Sequence, residues 1–337
     1  MNNILVVNVN WLGDVIFSSP VFRALKEAYP QARIICLAVP RVKEILESIP
    51  FIDEIIIYDE KGKHASLTAK LGLIYSLRKK KFDIAFLLHR SLTRALFVFL
   101  AGIPRRVGYD TKGRGFFLTH KVKPLAGEAH RSDHYLHVIE SYGISVRDRR
   151  TQLNVTSQSK EEVSGMLTAE NVRPEDEIVV INPGGNWDLK RWPVENFAKL
   201  VDHLMNEGRW KVVIAGAPQD VPLFETIISH SKDKPINLTG KTTLKQLMAL
   251  MQRARLVISA DSGPLHLASS VGTDVIGIFG PTRPEITGPR GSGRGAILQH
   301  DVGCNRKACY HLKCPDNICM KSISVEDVLT KFNKIIE

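Results

Sequence analysis

Short apolar runs alternate with longer segments of helical periodicity along most of the chain. In the first half the pattern predicts strands at 4–9, 33–38, 54–58, 83–88 and 105–109, and helices at 15–28 and 66–80. In the second half it predicts strands at 178–182, 211–215, 235–238, 256–259 and 274–279. This alternation predicts an α/β fold in which helices cover both faces of a parallel sheet.

A polar, charged stretch at 147–176 interrupts the alternation and is predicted to be a linker region. The chain has 337 residues, about twice the usual domain size. We therefore expect two doubly wound, Rossmann-like domains, 1–165 and 166–337, facing a central cleft. Ligands of such sheets bind outside the carboxyl ends of the strands, so the loops at these ends are the places to look for chemistry.

Hydropathy argues against a membrane-spanning protein. The hydrophobic content is 44%, and no apolar stretch approaches the roughly 20 residues that a transmembrane helix needs. The first apolar run is broken by Asn8 and Asn10 and has no basic leader, which argues against a secretory signal. These features predict a cytoplasmic location.

Positive charge is concentrated in the first half. Residues 1–150 hold 24 Lys/Arg against 14 Asp/Glu, a net charge of +10, whereas residues 151–337 hold 22 against 21, a net charge of +1. The surplus includes residues 78–81, 105–106, Arg90, Arg94, Lys112, Arg114, Lys121 and Lys123. It predicts attraction to a polyanion or an anionic membrane, although the run at 78–81 alone also fits a solvated helix end. Aromatic platforms and zinc-finger spacing are missing, so no nucleic-acid partner is expected.

The turn Asn10-Trp11-Leu12-Gly13-Asp14 joins the first predicted strand to the first predicted helix. It places the Asp14 carboxylate at the carboxyl end of a buried strand, where it is a candidate base; alternatively, Asp14 only caps a helix that starts at Val15. Gly13 fits a turn with special dihedrals or a close approach by a ligand. The turn lacks the G-x-G-x-x-G pattern, which argues against a nicotinamide dehydrogenase.

A second turn, 260–266, follows the strand at 256–259 and opens another helix. The backbone N–H groups of Ser262 and Gly263 at the helix N-terminus suit a diphosphate. His266 falls on the same helix face as Ser262, so it either reaches a phosphate or sugar group or is structural. A base in one half and a phosphate site in the other are the minimum needed to transfer a group from a nucleotide donor.

Further loops supply polar groups at strand ends. The stretch 182–186, with Gly185 and Asn186, forms another backbone surface for an anion, and Lys190 adds a mobile positive charge. Asp220 follows the strand at 211–215, where an acidic group accepts hydrogen bonds from ribose hydroxyls in dinucleotide-binding folds. Trp192 is expected to pack against its domain.

Four cysteines recur at a five-residue interval, Cys304, Cys309, Cys314 and Cys319, within a Cys-rich segment at 304–319. In a cytoplasmic protein such a cluster favours a metal over disulfides. The interval differs from that of zinc-binding pairs, so a structural zinc site and free or redox-active thiols both stay open, with thiols favoured. No metal or other cofactor is expected to be required for catalysis.

Residues 10–20, 182–193 and 259–284 together resemble the ADP-heptose:lipopolysaccharide heptosyltransferases of glycosyltransferase family 9, and the string Lys190-Arg191-Trp192-Pro193 is most similar to that of the second heptosyltransferases. The resemblance covers nearly the whole chain. It implies a GT-B fold and inverting transfer of a heptose from ADP-heptose to the Kdo-lipid A inner core of lipopolysaccharide. It further implies a monomer in peripheral contact with the cytoplasmic face of the inner membrane.

The resemblance also implies roles for individual residues. Asp14 would be the catalytic base, and Lys190 would stabilise the donor phosphates. Donor binding is expected of Gly185, Asn186, Asp220, Thr242, Asp261, Ser262, Gly263 and His266. Acceptor binding is expected of Gly13, Arg90, Arg94 and Arg114. Another nucleotide-sugar transferase of this fold, or a GT-B sugar-nucleotide epimerase, remains an alternative, although an epimerase gives no reason for a basic first half.

Overall fold

The chain divides into two units, Met1–Leu153 and Asn154–Glu337, in a computed structural model that describes residues 1–185, 187–304, 309 and 314–337. The strands of the first unit are β1 (Asn3–Val7), β2 (Arg33–Ala38), β3 (Glu54–Ile57), β4 (Ile84–Leu87), β5 (Arg105–Tyr109) and β6 (His120–Val122). Its helices are α1 (Leu12–Ala28), α2 (Lys43–Leu46), α3 (Leu67–Lys79), α4 (Leu92–Leu100) and α5 (Arg131–Glu140). Short 3₁₀ turns lie at Pro40–Val42 and Arg114–Phe117.

The strands of the first unit form one parallel sheet in the order β3-β2-β1-β4-β5-β6. β1 pairs with β2 from Asn3 opposite Arg33, and with β4 from Ile4 opposite Ile84. Because helices cover both faces, Ile4 to Val7 are wholly buried, as expected of a central strand in a parallel sheet.

In the second unit the strands are β7 (Glu177–Asn182), β8 (Trp210–Ile214), β9 (Ile236–Asn237), β10 (Leu256–Ala260), β11 (Asp274–Ile278) and β12 (Gly295–Leu298). The helices are α6 (Ser157–Ala169), α7 (Val194–Asn206), α8 (Val221–His230), α9 (Leu244–Arg253), α10 (Gly263–Ser270), α11 (Pro284–Thr287), α12 (Ile318–Lys321) and α13 (Val325–Ile336). Further 3₁₀ turns lie at Asp188–Lys190 and Pro218–Asp220.

The second sheet repeats the topology of the first. Its parallel strands run β12-β11-β10-β7-β8-β9, so that in both sheets the strand order reverses between the first and the fourth strand of the unit. In open α/β sheets this reversal opens a crevice at the carboxyl ends of the two central strands, and ligands bind there. The expected crevices therefore lie at the carboxyl ends of β1 and β4 in the first unit and of β7 and β10 in the second.

The predicted α/β class with two doubly wound, Rossmann-like sheets is confirmed, and every predicted strand is present within a residue or two. The edge strands β6 and β12 were not predicted; β6 is short and polar, and β12 begins at a glycine. The predicted cleft between the domains stays a prediction.

The interpretation of 147–176 as a linker is wrong in its middle, where α6 forms. Most of this helix is polar, but Val163 and Leu167 are buried and the helix packs on α9. This packing assigns α6 to the second unit, so the division lies after Leu153 rather than at 165. Among the described helices, none is long and apolar enough to cross a membrane.

Candidate active site

Asp14 lies inside the first turn of α1, at the carboxyl end of β1. The helix begins at Leu12 with Trp11 as its N-cap residue, so the interpretation of Asp14 as the cap of a helix starting at Val15 is wrong. Oδ1 of Asp14 instead accepts a hydrogen bond of 2.8 Å from the hydroxyl of Tyr135. The partially exposed carboxylate is therefore held from one side by a side chain of α5.

Tyr135 is a buried residue, 8% exposed, on a helix that packs against α1. Its burial and the negative charge of Asp14 raise its pKa well above the usual range. The hydroxyl therefore stays protonated and donates to Asp14 throughout the physiological pH range. Sequence reasoning missed Tyr135 because its partner lies 121 residues away and its spacing within α5 is that of an ordinary core residue.

The three arginines predicted to bind the acceptor occupy different environments. Arg90 is exposed, with its guanidinium 5.0 Å from the centre of the Tyr109 ring. Arg94 is buried and donates to the carbonyl oxygen of Asn8 at 3.1 Å. Arg114 is fully buried and donates to the carbonyl oxygens of Tyr109 and His89. The geometry of Arg94 and Arg114 thus favours support of the strand ends, whereas Arg90 is accessible to a ligand.

His89 follows β4 and faces the loop that carries Asn10, with their side chains 3.2 Å apart. Burial and the charges of Arg94, Arg114 and Lys112 lower its pKa from 6.5 to about 4. Nδ1 accepts a 3.1 Å hydrogen bond from the backbone N–H of Ser91, and Nε2 lies 3.2 Å from Nδ2 of Asn10. An electropositive environment thus surrounds His89 at the carboxyl end of β4. No sequence motif marks His89 as a site residue.

In the second unit, α10 begins as predicted, with Ser262 as N-cap, Gly263 as first helical residue and Pro264 in the first turn. The Ser262 side chain makes no capping hydrogen bond to the helix; its hydroxyl lies 3.2 Å from that of Ser259. The first-turn N–H groups therefore depend on other partners, and a helix N-terminus of this kind favours an anion.

Asp261 joins three side chains at this helix terminus. Its Oδ2 lies 2.8 Å from Nζ of Lys190 and accepts a 3.2 Å hydrogen bond from Thr287, while its Oδ1 lies 3.4 Å from Nε2 of His266. Burial of Asp261, which is 4% exposed, opposes ionisation. The hydrogen bonds and charges of His266 and Lys190 outweigh this effect and hold the pKa of Asp261 well below its usual range. The ionised carboxylate thus fixes the Lys190 ammonium beside the start of α10.

The other predicted donor residues lie on neighbouring loops of the second unit. Gly185 lies close to Ser262, since a Cβ atom added to Gly185 would lie 3.9 Å from the Cβ atom of Ser262. Asp220 is buried and accepts at 2.9 Å from the N–H of Ala217, while a side chain on Gly184 would collide with its carboxylate. Thr242 is partly exposed, just before the N-cap residue of α9. The prediction for Asn186 lies outside the described residues.

Trp192 and the cysteines complete the set of predicted positions. Trp192 is buried, as expected, and donates to the carbonyl oxygen of Ile323 at 2.9 Å. Cys304, Cys309, Cys314 and Cys319 line one cavity of about 330 Å³. Within the described part of the chain, no group of three or more His, Cys, Asp or Glu side chains is placed to hold a metal ion. The preference for free or redox-active thiols over structural zinc stays a prediction.

A family model described as "Glycosyltransferase family 9 (heptosyltransferase)" matches residues 71–315. The chain belongs to glycosyltransferase family 9. This transferase is 29% identical over 300 residues to lipopolysaccharide heptosyltransferase 2 of Escherichia coli K12, with 85% of each chain covered. It is also similar to the solved structure of E. coli ADP-heptose LPS heptosyltransferase II, with 25% identity and a TM-score of 0.79 over 100% of this chain and 98% of that one.

A solved glycosyl transferase of family 9 from Veillonella parvula DSM 2008 superimposes with a TM-score of 0.87 at 24% identity, over 99% of this chain and 97% of that one. The predicted resemblance and the GT-B fold are therefore confirmed. The family match also decides in favour of a glycosyltransferase over an epimerase.

Proposed function

We propose that this transferase moves a heptose, with inversion at the anomeric carbon, from ADP-heptose onto the inner core of lipopolysaccharide. The observation that carries the proposal is the similarity over 85% of the chain to a lipopolysaccharide heptosyltransferase 2. The arrangement of charged groups at the two strand-order reversals supports it, since each reversal holds the groups that one substrate requires.

The second unit binds the nucleotide sugar in this proposal. The N–H groups at the start of α10 receive the diphosphate, and Lys190 offsets the negative charge that develops as ADP leaves. Asp261 keeps Lys190 in place through the 2.8 Å ion pair. Because Asp261 remains ionised, it also accepts hydrogen bonds from sugar hydroxyls.

The first unit supplies the base. The acceptor hydroxyl oxygen attacks the anomeric carbon while the bond from that carbon to the diphosphate oxygen breaks, and the bonding electrons leave with ADP. The hydroxyl proton passes to Oδ2 of Asp14, since Oδ1 already accepts from Tyr135. A carboxylate is a weak base and takes this proton late in the reaction, so orientation of the reactants supplies much of the acceleration.

Arg90 meets the anionic acceptor, a Kdo-lipid A core, because its guanidinium is exposed near Tyr109. Gly13 allows the acceptor to approach α1 closely. Arg94 and Arg114 act behind this surface by holding the backbone of Asn8, His89 and Tyr109. The proposal places the enzyme, as a monomer, in peripheral contact with the cytoplasmic face of the inner membrane.

The test is to incubate the purified protein with ADP-heptose and a Kdo-lipid A acceptor that bears one heptose, and to determine the mass of the acceptor and the anomeric configuration of the new linkage. The expected product carries one further heptose with inverted configuration. If the protein binds the donor but transfers heptose to no inner-core acceptor, the family assignment stands and the substrate assignment is wrong.

A further inference from the structure

The outer surface of α3 is apolar where a helix of a soluble domain usually carries polar residues. Leu67, Leu71 and Tyr75 are 72%, 53% and 60% exposed. They follow one another at intervals of four residues and therefore share one face of the helix. A different face of α3 enters the core through Leu73, Ile74 and Leu77. The exposed row is thus additional to the apolar stripe that folding requires.

A second group of exposed apolar side chains lies on α4 and the turn Arg114–Phe117. Leu92, Phe99 and Leu100 are exposed on α4, and Phe116 is 79% exposed. The ring centres of Phe99 and Phe116 lie 6.3 Å apart. α3 and α4 pack on each other and share one core cluster on the same face of the sheet, so their outer sides lie on the same side of the first unit.

Basic residues accompany these apolar side chains, and acidic residues are missing from both helices. No Asp or Glu occurs at 61–82 or at 84–109. Arg78, Lys79 and Lys81 at the end of α3 are exposed. Nζ of Lys79 lies 4.6 Å from the centre of the Tyr75 ring, and the Arg106 guanidinium lies 5.3 Å from the centre of the Phe99 ring. A cation therefore lies beside an exposed aromatic ring on each of the two helices.

We propose that this surface, formed by the exposed side chains of α3 and α4 with Phe116, docks directly onto an anionic lipid bilayer. The apolar row would enter the boundary between head groups and acyl chains, while the surrounding cations contact anionic head groups. Tyr75 and the phenylalanines are amphipathic or apolar rings of the size that such a boundary accommodates. The inference adds a defined surface to the peripheral membrane contact named in the proposed function.

Charge favours a bilayer over a second copy of the chain as the occupant of this surface. An exposed apolar patch by itself suits either one. Two copies that meet through this surface would bring two sets of lysines and arginines together with no acidic residue of α3 or α4 to offset them. An anionic bilayer supplies the opposite charge over its whole area.

The test is flotation of the purified chain with vesicles of phosphatidylcholine alone or mixed with phosphatidylglycerol, without donor or acceptor. The wild type should float with the anionic vesicles, should float poorly with the neutral ones, and should be released by salt. Leu71→Glu should lower the partition coefficient about tenfold through lost burial of one large apolar side chain. Each of Lys79→Gln and Lys81→Gln should lower it about fivefold.

Ile318→Glu is the matched control, because Ile318 is also 53% exposed but lies in the second unit. It should leave vesicle binding unchanged, and circular dichroism should show that all variants fold. Binding that Leu71→Glu does not alter, or that is equal on neutral and anionic vesicles, would contradict the proposal. A dimer in sedimentation that Leu71→Glu dissociates, without vesicle binding, would assign the surface to a second copy instead.

Because this assay contains no substrate, its outcome is independent of the transferase reaction. Vesicle binding without heptose transfer would overturn the proposed function and leave the docking surface in place. Transfer to a water-soluble, deacylated acceptor without vesicle binding would overturn the docking surface and leave the proposed function in place. With both proposals right, Leu71→Glu slows transfer to an acceptor embedded in vesicles more than transfer to the deacylated acceptor.

Discussion

The hydroxyl of Tyr135 donates a 2.8 Å hydrogen bond to Oδ1 of Asp14. The two residues come from α5 and α1, which pack against each other in the first unit. The bond leaves Oδ2 of Asp14 as the oxygen that takes the acceptor proton in the proposed reaction. Tyr135 is therefore a positioning residue for the proposed base.

Replacement of Tyr135 by Phe should lower kcat at least about tenfold, since a hydrogen bond to a charged group contributes roughly 1.5–3 kcal/mol. The KM for ADP-heptose should stay the same, because the donor binds in the second unit in the proposed reaction. Steady-state kinetics measure both effects.

Tyr109→Phe is the matched control, because the buried Tyr109 hydroxyl donates at 2.7 Å to the carbonyl oxygen of His134. It should leave kcat unchanged. If Tyr135→Phe lowers only the free energy of unfolding and leaves kcat unchanged, the tyrosine has a structural role alone.

Removal of the charge of Lys190 should mainly slow the departure of ADP. Lys190→Gln is expected to lower kcat by about 10²–10³, the range typical of a lost electrostatic contact to a developing negative charge. Asp261→Asn should also lower kcat, because Lys190 and His266 lose the carboxylate that holds them. Arg209→Gln, which breaks an exposed pair with Glu177, serves as control. Full activity of Lys190→Gln would exclude the lysine from catalysis.

Arg90 and Arg114 should respond differently to the same substitution. Arg114→Met removes donors from the carbonyl oxygens of Tyr109 and His89 and should lower the free energy of unfolding by about 2–4 kcal/mol. Arg90→Met should leave the free energy of unfolding nearly unchanged and raise the KM for the acceptor. Urea unfolding and acceptor titration measure the two effects. A stable Arg114→Met variant with a raised acceptor KM would reverse this assignment.

The lowered pKa of His89 makes stability depend on pH in a predictable direction. Its pKa falls from 6.5 to about 4 in the fold. Between these values the unfolded chain binds a proton that the folded chain does not, so the stabilising contribution is complete above pH 6.5 and is lost as pH falls toward 4. His89→Gln should therefore unfold with a weaker pH dependence in this window. His203→Gln, at an exposed position, should behave like the wild type.

Catalysis should not require a divalent metal, since Lys190 and the start of α10 meet the charge of the diphosphate in the proposed reaction. Prolonged treatment with a chelator should leave the transfer rate unchanged, and so should replacement of the four clustered cysteines by serine in a variant that folds. A rate that falls with chelation and returns with added zinc or magnesium would contradict this prediction.

Much of the fold was predictable because the central strands of a parallel sheet carry continuous β-branched and apolar residues, as at Ile4 to Val7. The short edge strand β6 has no such run, since His120 and Lys121 are exposed. The amphipathic stripe of α6 is narrow, with Val163 and Leu167 among polar residues, and its helical character becomes clear only from packing on α9.

The site was predictable where its residues lie close together in the sequence. Asp261, Ser262, Gly263 and His266 fall in one turn and its helix, and the structure brings Lys190 to them. Tyr135 and His89 were missed because each meets its partner only through the tertiary fold. Arg94 and Arg114 lie in basic segments that indicate an accessible surface, but their side chains are buried against backbone carbonyl groups.

The most direct test of the account compares acceptor-dependent ADP release from ADP-heptose by the wild type and by Asp14→Asn. The donor concentrations are chosen from the measured affinity of each protein for ADP-heptose. We predict that both bind the donor equally well, that the wild type releases ADP when a Kdo-lipid A acceptor bearing one heptose is present, and that Asp14→Asn is slower by about 10²–10⁴. Asp14→Asn that releases ADP at the wild-type rate would contradict the assignment of Asp14 as the base.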